Sequence, residues 1–206
     1  HWTAARCRRG IRLVPPPDVS WVERRDNYPL WRRRQMALTE RMALAAAAAT
    51  VPYEVYYALT NLSYFRPVFL ANLIFIALCA AAVVLNRRGR FDMALNLVVA
   101  VLYVHLFVLT SLLSTGPGIH LYYFSLGGSL GMFFIAGRES LAFGLTLLAT
   151  ALLITCHLAF PPGSTRIAID HTVEQVMYAT NAAAAVLLSG GFSYLFRLDI
   201  DRAERD

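Results

Sequence analysis

Lysine is absent from this chain, and charge of either sign is scarce: charged residues make up 16% of its 206 positions. Soluble domains carry roughly 25%, so there is too little charge here to cover a water-facing surface of ordinary composition. Cysteine is nearly missing as well. Cys7, Cys79 and Cys156 lie far apart and form neither a disulfide framework nor a metal-binding ladder; they read as apolar filler. There is no P-loop, no dinucleotide fingerprint, no G-x-S-x-G and no H-E-x-x-H. No polar segment is long enough to fold into a catalytic domain, so no catalytic residue is assigned. Paired broken helices in an inverted repeat are missing too, which speaks against a transporter.

The chain has apolar length instead. Hydrophobic residues make up 57% and the mean hydropathy is +0.50. About 20 apolar residues cross a hydrocarbon layer of about 30 Å, and six such runs are present. The expected fold is all-α, a polytopic six-transmembrane-helix bundle with spans at 36–59, 67–85, 93–113, 120–136, 140–160 and 172–196. Residues 1–35 read as a basic tail followed by an amphipathic pre-membrane helix, in which Trp21, Tyr28 and Trp31 alternate with arginines as suits an anionic lipid surface. Residues 61–66 read as a short loop, and Pro52 is expected to kink the first span.

Orientation follows from the arginines. With both termini cytoplasmic, 17 of the 19 lie inside and only Arg66 and Arg166 lie outside. That arrangement makes the chain a multi-pass membrane protein in contact with lipid, with no nucleic-acid partner.

Ionisable groups within spans cost about 2.5–3.5 kcal/mol each at the membrane centre, so each needs a reason. Glu54, His105, His120, His157, His171 and Glu174 all fall toward the outer ends of spans, and Tyr57, Tyr123 and Tyr178 lie at similar depths. Together they suggest an aromatic-walled pocket open to the outside that binds a small ligand or ion. A sharper version is a divalent metal held by His120, His157, His171 and Glu174, since imidazole with carboxylate suits Zn²⁺ or Cu²⁺. The competing reading places these aromatics and histidines in an interfacial belt, each bonded to backbone.

Small residues mark close helix approach. Gly127 and Gly131 form a GxxxG, and Ser189, Gly190, Gly191 and Ser193 line the last span; these are candidates for helix packing or homodimerisation. Asn61, Asn72, Asn96 and Asn181 read as interhelical hydrogen-bond groups, and Arg138 with Glu139 as an inner-turn ion pair.

The last span passes without proline into Arg197-Leu-Asp-Ile-Asp-Arg-Ala-Glu-Arg-Asp206. Residues 197–206 therefore read as the start of a cytoplasmic signalling helix. This layout, the Gly137-Arg-Glu139 turn, the Phe160-Pro-Pro-Gly163 exit and the Phe196–Arg205 string resemble the membrane anchor of bacterial class III adenylate cyclases, especially the mycobacterial six-span type. The likeness covers about residues 116–206. It implies a homodimeric receptor or anchor whose last helix drives a cyclase domain making cAMP from ATP, with Mg²⁺ or Mn²⁺ needed only in that further domain. The layout is also similar to six-span histidine kinases and diguanylate cyclases. A structural dimerisation anchor and a small transporter are the rival readings. The chain opens on His1 rather than Met, so its native start is expected upstream.

Overall fold

The computed structural model describes residues 30–133, 139–164, 167 and 169–203. Residues 1–29, with the basic tail and most of the amphipathic segment, lie outside the described residues, as do Arg138 and Arg166. Every described element is helical: α1 Leu30–Arg87, α2 Phe91–Leu113, a 3₁₀ turn at Ile119–Leu121, α3 Tyr122–Phe133, α4 Glu139–Ala159 and α5 His171–Ala203.

The longest element is folded back on itself. Asn61 leaves helical geometry at φ −164° and ψ 88°, and its side-chain oxygen accepts a hydrogen bond from the Tyr64 amide at 3.1 Å. An extended residue whose side chain caps the third amide beyond it is an N-cap. Asn61 therefore ends one arm (30–60) and starts another (62–87). The expected loop at 61–66 is thus a bend at a single residue, with Leu62–Arg66 already helical. Pro52 and Pro67 both lie inside helical backbone; the break falls at Asn61, where a side chain replaces the lost backbone bond, and not at Pro52.

Cross-arm contacts establish the antiparallel hairpin. Tyr57 and Phe65 stack at 4.9 Å beside the bend. Further along, Asn72 donates to Glu54 Oε1 at 2.6 Å, and Asn86 donates to the Met36 carbonyl at 3.0 Å. At the far end the Arg87 Nε donates to Glu40 at 3.0 Å. The second arm stops in a glycine cap. Gly89 has φ +81°, its amide bonds the Asn86 carbonyl, and the Arg90 amide bonds that of Leu85, which is the paired pattern of a Schellman motif. Arg32 closes this end by reaching Asp92 at 3.1 Å while lying over the Phe91 ring.

α2 returns along the second arm and forms the centre of the bundle, burying Leu95, Val99, Leu106 and Leu109 among Val68, Tyr123 and Cys156. Tyrosine hydroxyls tie it to both neighbours. Tyr103 donates to the Leu145 carbonyl of α4 at 2.6 Å, and Tyr123 of α3 donates to the Tyr103 carbonyl at 2.7 Å. α3 approaches α4 closely at Gly127, where an added Cβ would sit 3.4 Å from that of Ala149. α5 begins at a second side-chain cap, Asp170, whose carboxylate accepts from the Thr172 amide at 3.0 Å. It then runs without interruption across the apolar-to-charged junction to Ala203.

Large apolar side chains cover the outside: Leu59 is 82% exposed, Leu158 73% and Phe143 65%. Such a surface is not stable facing water. Three helical stretches, Gln35–Arg87, Phe91–Leu113 and Ser140–Ala159, are long and apolar enough to cross a membrane by length and composition. The protein is therefore read as a membrane protein whose apolar exterior meets lipid.

Replacing Asn61 with Ala removes the cap and should cost about 1 kcal/mol in reversible unfolding from mixed micelles. Asn61→Asp should retain most of that stability. Equal stability of all three proteins would show that the bend does not depend on the cap.

Candidate site and its link to the last helix

Among the described residues, the best-satisfied polar side chain in the apolar interior is that of Asn181 of α5, which is 1% exposed. Its side-chain oxygen accepts the Tyr53 hydroxyl of α1 at 2.8 Å and the Tyr122 hydroxyl of α3 at 3.1 Å. Its amide nitrogen donates to the Pro117 carbonyl at 2.8 Å. One carboxamide uses three of its four hydrogen-bonding positions to join α1, α3, α5 and the loop between α2 and the 3₁₀ turn.

That loop, residues 114–118, is shaped to reach α5. Ser114 carries a left-handed φ of 69°, a conformation that a non-glycine residue adopts only at some cost. Its hydroxyl accepts from the Gly116 amide at 3.2 Å, which offsets part of that strain. Glycine is needed at position 118, where φ is +78° and a side chain would come within 3.0 Å of the Tyr178 ring and 3.3 Å of its backbone. Gly116 packs against the end of the Glu174 side chain, which would have to swing aside to admit a Cβ there. Glu174, Tyr178 and Asn181 thus present one edge of α5 to the loop. On its other side the loop is held to the end of α4: the Thr115 amide and the Thr115 hydroxyl both donate to the Phe160 carbonyl at 2.9 Å.

The same edge of α5 continues against α3. Ser125 donates to the Ala185 carbonyl at 2.6 Å, and Ser189 donates to Ser125 at 3.2 Å. Residues 181, 185 and 189 recur every four positions, which keeps them on one face.

The expected site residues have the following places. Glu54 is 8% exposed, and of its two carboxyl oxygens one meets Asn72 while Oε2 has no hydrogen-bond partner among the described residues. Tyr57 and Tyr123 are buried in the core. His105 is 7% exposed and stacks on Phe75 at 3.9 Å, with Nε2 lacking a partner among the described residues. His120 is 4% exposed; its ring lies 5.9 Å from that of His157, and its Nδ1 has no partner among the described residues. His171 contacts Gln175 one turn along its own helix at 3.2 Å, while Glu174 and Tyr178 face the glycines of the loop. The structure brings together His120 with His157, and Glu174 with Tyr178. Among the described residues no three His, Cys, Asp or Glu side chains are grouped to hold a metal ion.

Of the small residues, Gly127 and Ser189 pack within the chain. Among the described residues nothing lies within 4 Å of a Cβ built at Gly190 or Gly191. The surroundings of Gly131 and of the Ser193 side chain lie outside what the structure describes. Tyr53, Tyr122, Thr115, Pro117 and Phe160 emerge as linking residues without having been singled out as such. The available signal was Asn181 itself, a carboxamide just before four alanines in an apolar run.

Asn181→Leu leaves two half-buried tyrosine hydroxyls and the buried Pro117 carbonyl without this partner. It should lower stability by about 1–3 kcal/mol in the same unfolding assay, whereas Gln175→Leu on the exposed face should change it by less than about 0.5 kcal/mol. Equal effects would mean that the Asn181 bonds carry no net energy.

No curated protein and no solved structure matches this chain. A family model does: MASE7 covers residues 25–206, a range that includes every described helix. With the apolar helices and the Asn181 junction in place, the match gives the chain its class: it belongs to MASE7, a family of membrane-associated sensor domains.

Proposed function

We propose that this chain is a six-pass sensor domain with both termini cytoplasmic. It senses at the Asn61 end, outside the cell, and signals through α5 to a cytoplasmic effector, an adenylate cyclase making cAMP. The observation that carries the reading is Asn181, which bonds the 114–118 loop, α1 and α3 to the helix that continues to Ala203. A change in the packing of the loop must either move α5 or break those bonds. A ligand shifts such a system only as far as its affinities for the two packings differ. The arginine distribution supports the orientation. The effector is assigned from the likeness to cyclase anchors, and a histidine kinase or diguanylate cyclase would use the same output helix.

Two further elements belong to this reading. The chain acts as a homodimer in which Gly190 and Gly191, open on the outer face of α5, let a second copy approach closely. His120 and His157 supply two imidazoles for a divalent ion at the sensing end, with His171 and Glu174 as the candidates to complete its shell.

Single cysteines in a cysteine-free background test the topology. A membrane-impermeant maleimide should label Ser63→Cys and Ser164→Cys on intact cells, and Arg88→Cys only after lysis. The reverse pattern would invert the orientation and remove the sensing assignment.

Output is tested by joining the chain at Asp206 to a class III cyclase catalytic domain in cells lacking their own cyclase. Asn181→Leu should shift cAMP several-fold at equal protein level, and Gln175→Leu should not. Added Zn²⁺ should alter output in the parent and not in His157→Ala. A purely structural anchor predicts the same cAMP from all of them.

A further inference from the structure

At the Asn61 end a cleft of about 540 Å³ opens between the second arm of α1, the end of α2 and the end of α4. It is lined by Pro67, Ser111, Leu112, Ala159, Phe160, Ser164 and Ile167. The volume is in the range of small-molecule sites, which combine apolar walls with a few polar groups. Apolar side chains form most of this wall. The Ser111 hydroxyl donates to the Val108 carbonyl of its own helix at 2.8 Å, which leaves its oxygen able to accept. None of these residues was among the expected ligand contacts.

Charge supplies the second feature. Arg66, the immediate neighbour of Pro67 in the chain, is exposed and has no ion-pair partner among the described residues. Its neighbour Pro67 lines the cleft, at the end of the bundle where described cations are fewest. The cleft is also connected to the output helix. Phe160, one of its walls, packs its ring edge-on to Phe107 at 5.7 Å. Its carbonyl holds Thr115 by the two bonds described above. Two residues further, the Pro117 carbonyl is held by Asn181.

We propose that this cleft binds a small single-chain amphiphile, its apolar body between Leu112, Phe160 and Ile167 and its anionic head at Arg66. The site takes a free amphiphile and not a phospholipid, because the volume suits one short chain and not two chains with a headgroup. Its role as the signal rests on the sensor reading above, whereas its occupancy does not.

The test uses the whole chain in phosphatidylcholine nanodiscs with decanoate carrying a diazirine, and peptides are mapped by mass spectrometry after irradiation. Labelling is expected in peptides containing Leu112, Phe160 and Ile167. Decanoate should compete at least ten-fold better than decanol. Ala159→Trp, which fills the cleft from an exposed helix end, should abolish the labelling, and Arg66→Gln should remove the preference for decanoate over decanol. Labelling spread along the lipid-facing positions of α1 and α4, such as Ile74 and Leu147, would overturn the proposal. So would equal competition by decanol, or equal labelling of the cleft by a photoreactive phosphatidylglycerol. Because labelling reads occupancy and cAMP reads transmission, a labelled cleft with unchanged output in the cyclase fusion would remove the sensor reading and leave the site. An unlabelled cleft with Asn181-dependent output would do the opposite.

Discussion

A polar group inside an apolar bundle that itself sits in hydrocarbon has no water to turn to, so its partner must come from elsewhere in the chain. That constraint organises this structure more than apolar packing does, because side chains of similar hydrophobicity surround every helix on both sides. Tyr103, Tyr123, Thr146 and Ser125 each direct a hydroxyl to a backbone carbonyl of a neighbouring helix. Those bonds fix which helix lies beside which and at what height. Asn181 is the most demanding case, since a carboxamide at that depth must satisfy donor and acceptor together, and its partners come from three separate segments.

Read in the same terms, the exceptions are informative. Glu54 Oε2, Asn72 Oδ1, His105 Nε2 and His120 Nδ1 are enclosed without partners among the described residues. Asn86 Oδ1 is in the same position, although its amide nitrogen is anchored on Met36. Four of the five belong to the half of the bundle nearer the bend. The polar interior is thus completed along α5 and left incomplete between the two arms of α1 and α2 and at the 3₁₀ turn. An element that transmits needs a defined geometry, while an element that responds needs groups whose partners can change.

Much of the architecture was legible from apolar run length. The runs read at 93–113 and 140–160 appear as Phe91–Leu113 and Glu139–Ala159, because a stretch of about 20 apolar residues has few alternatives to a helix. The bend was harder to read. Asn61 to Arg66 looks like a loop by polarity, but an asparagine that caps the next turn needs one non-helical residue, not six. Partners across long separations were not readable at all. Tyr53 and Asn181 stand 128 positions apart, and nothing in either neighbourhood announces the other. The histidines and glutamates looked like one constellation because depth along a span is readable, whereas the direction a side chain takes around the helix depends on packing. Ser189 shows the same limit. It resembles a surface for a second copy by composition, and it is occupied by Ser125 of its own chain.

The spacing of the three contact points on α5 also restricts how that helix can travel. Asn181, Ala185 and Ser189 hold it along a single edge for two full turns, and a slide of one residue, about 1.5 Å, would misalign every one of those bonds together. Rolling about that edge stretches them far less. Movement of the last helix should therefore be torsional, turning its charged end through an angle while keeping its depth. Whatever is joined beyond it would read the azimuth of the helix, and an engineered joint that adds or removes a single residue would turn the incoming face by about 100° without altering anything inside the membrane.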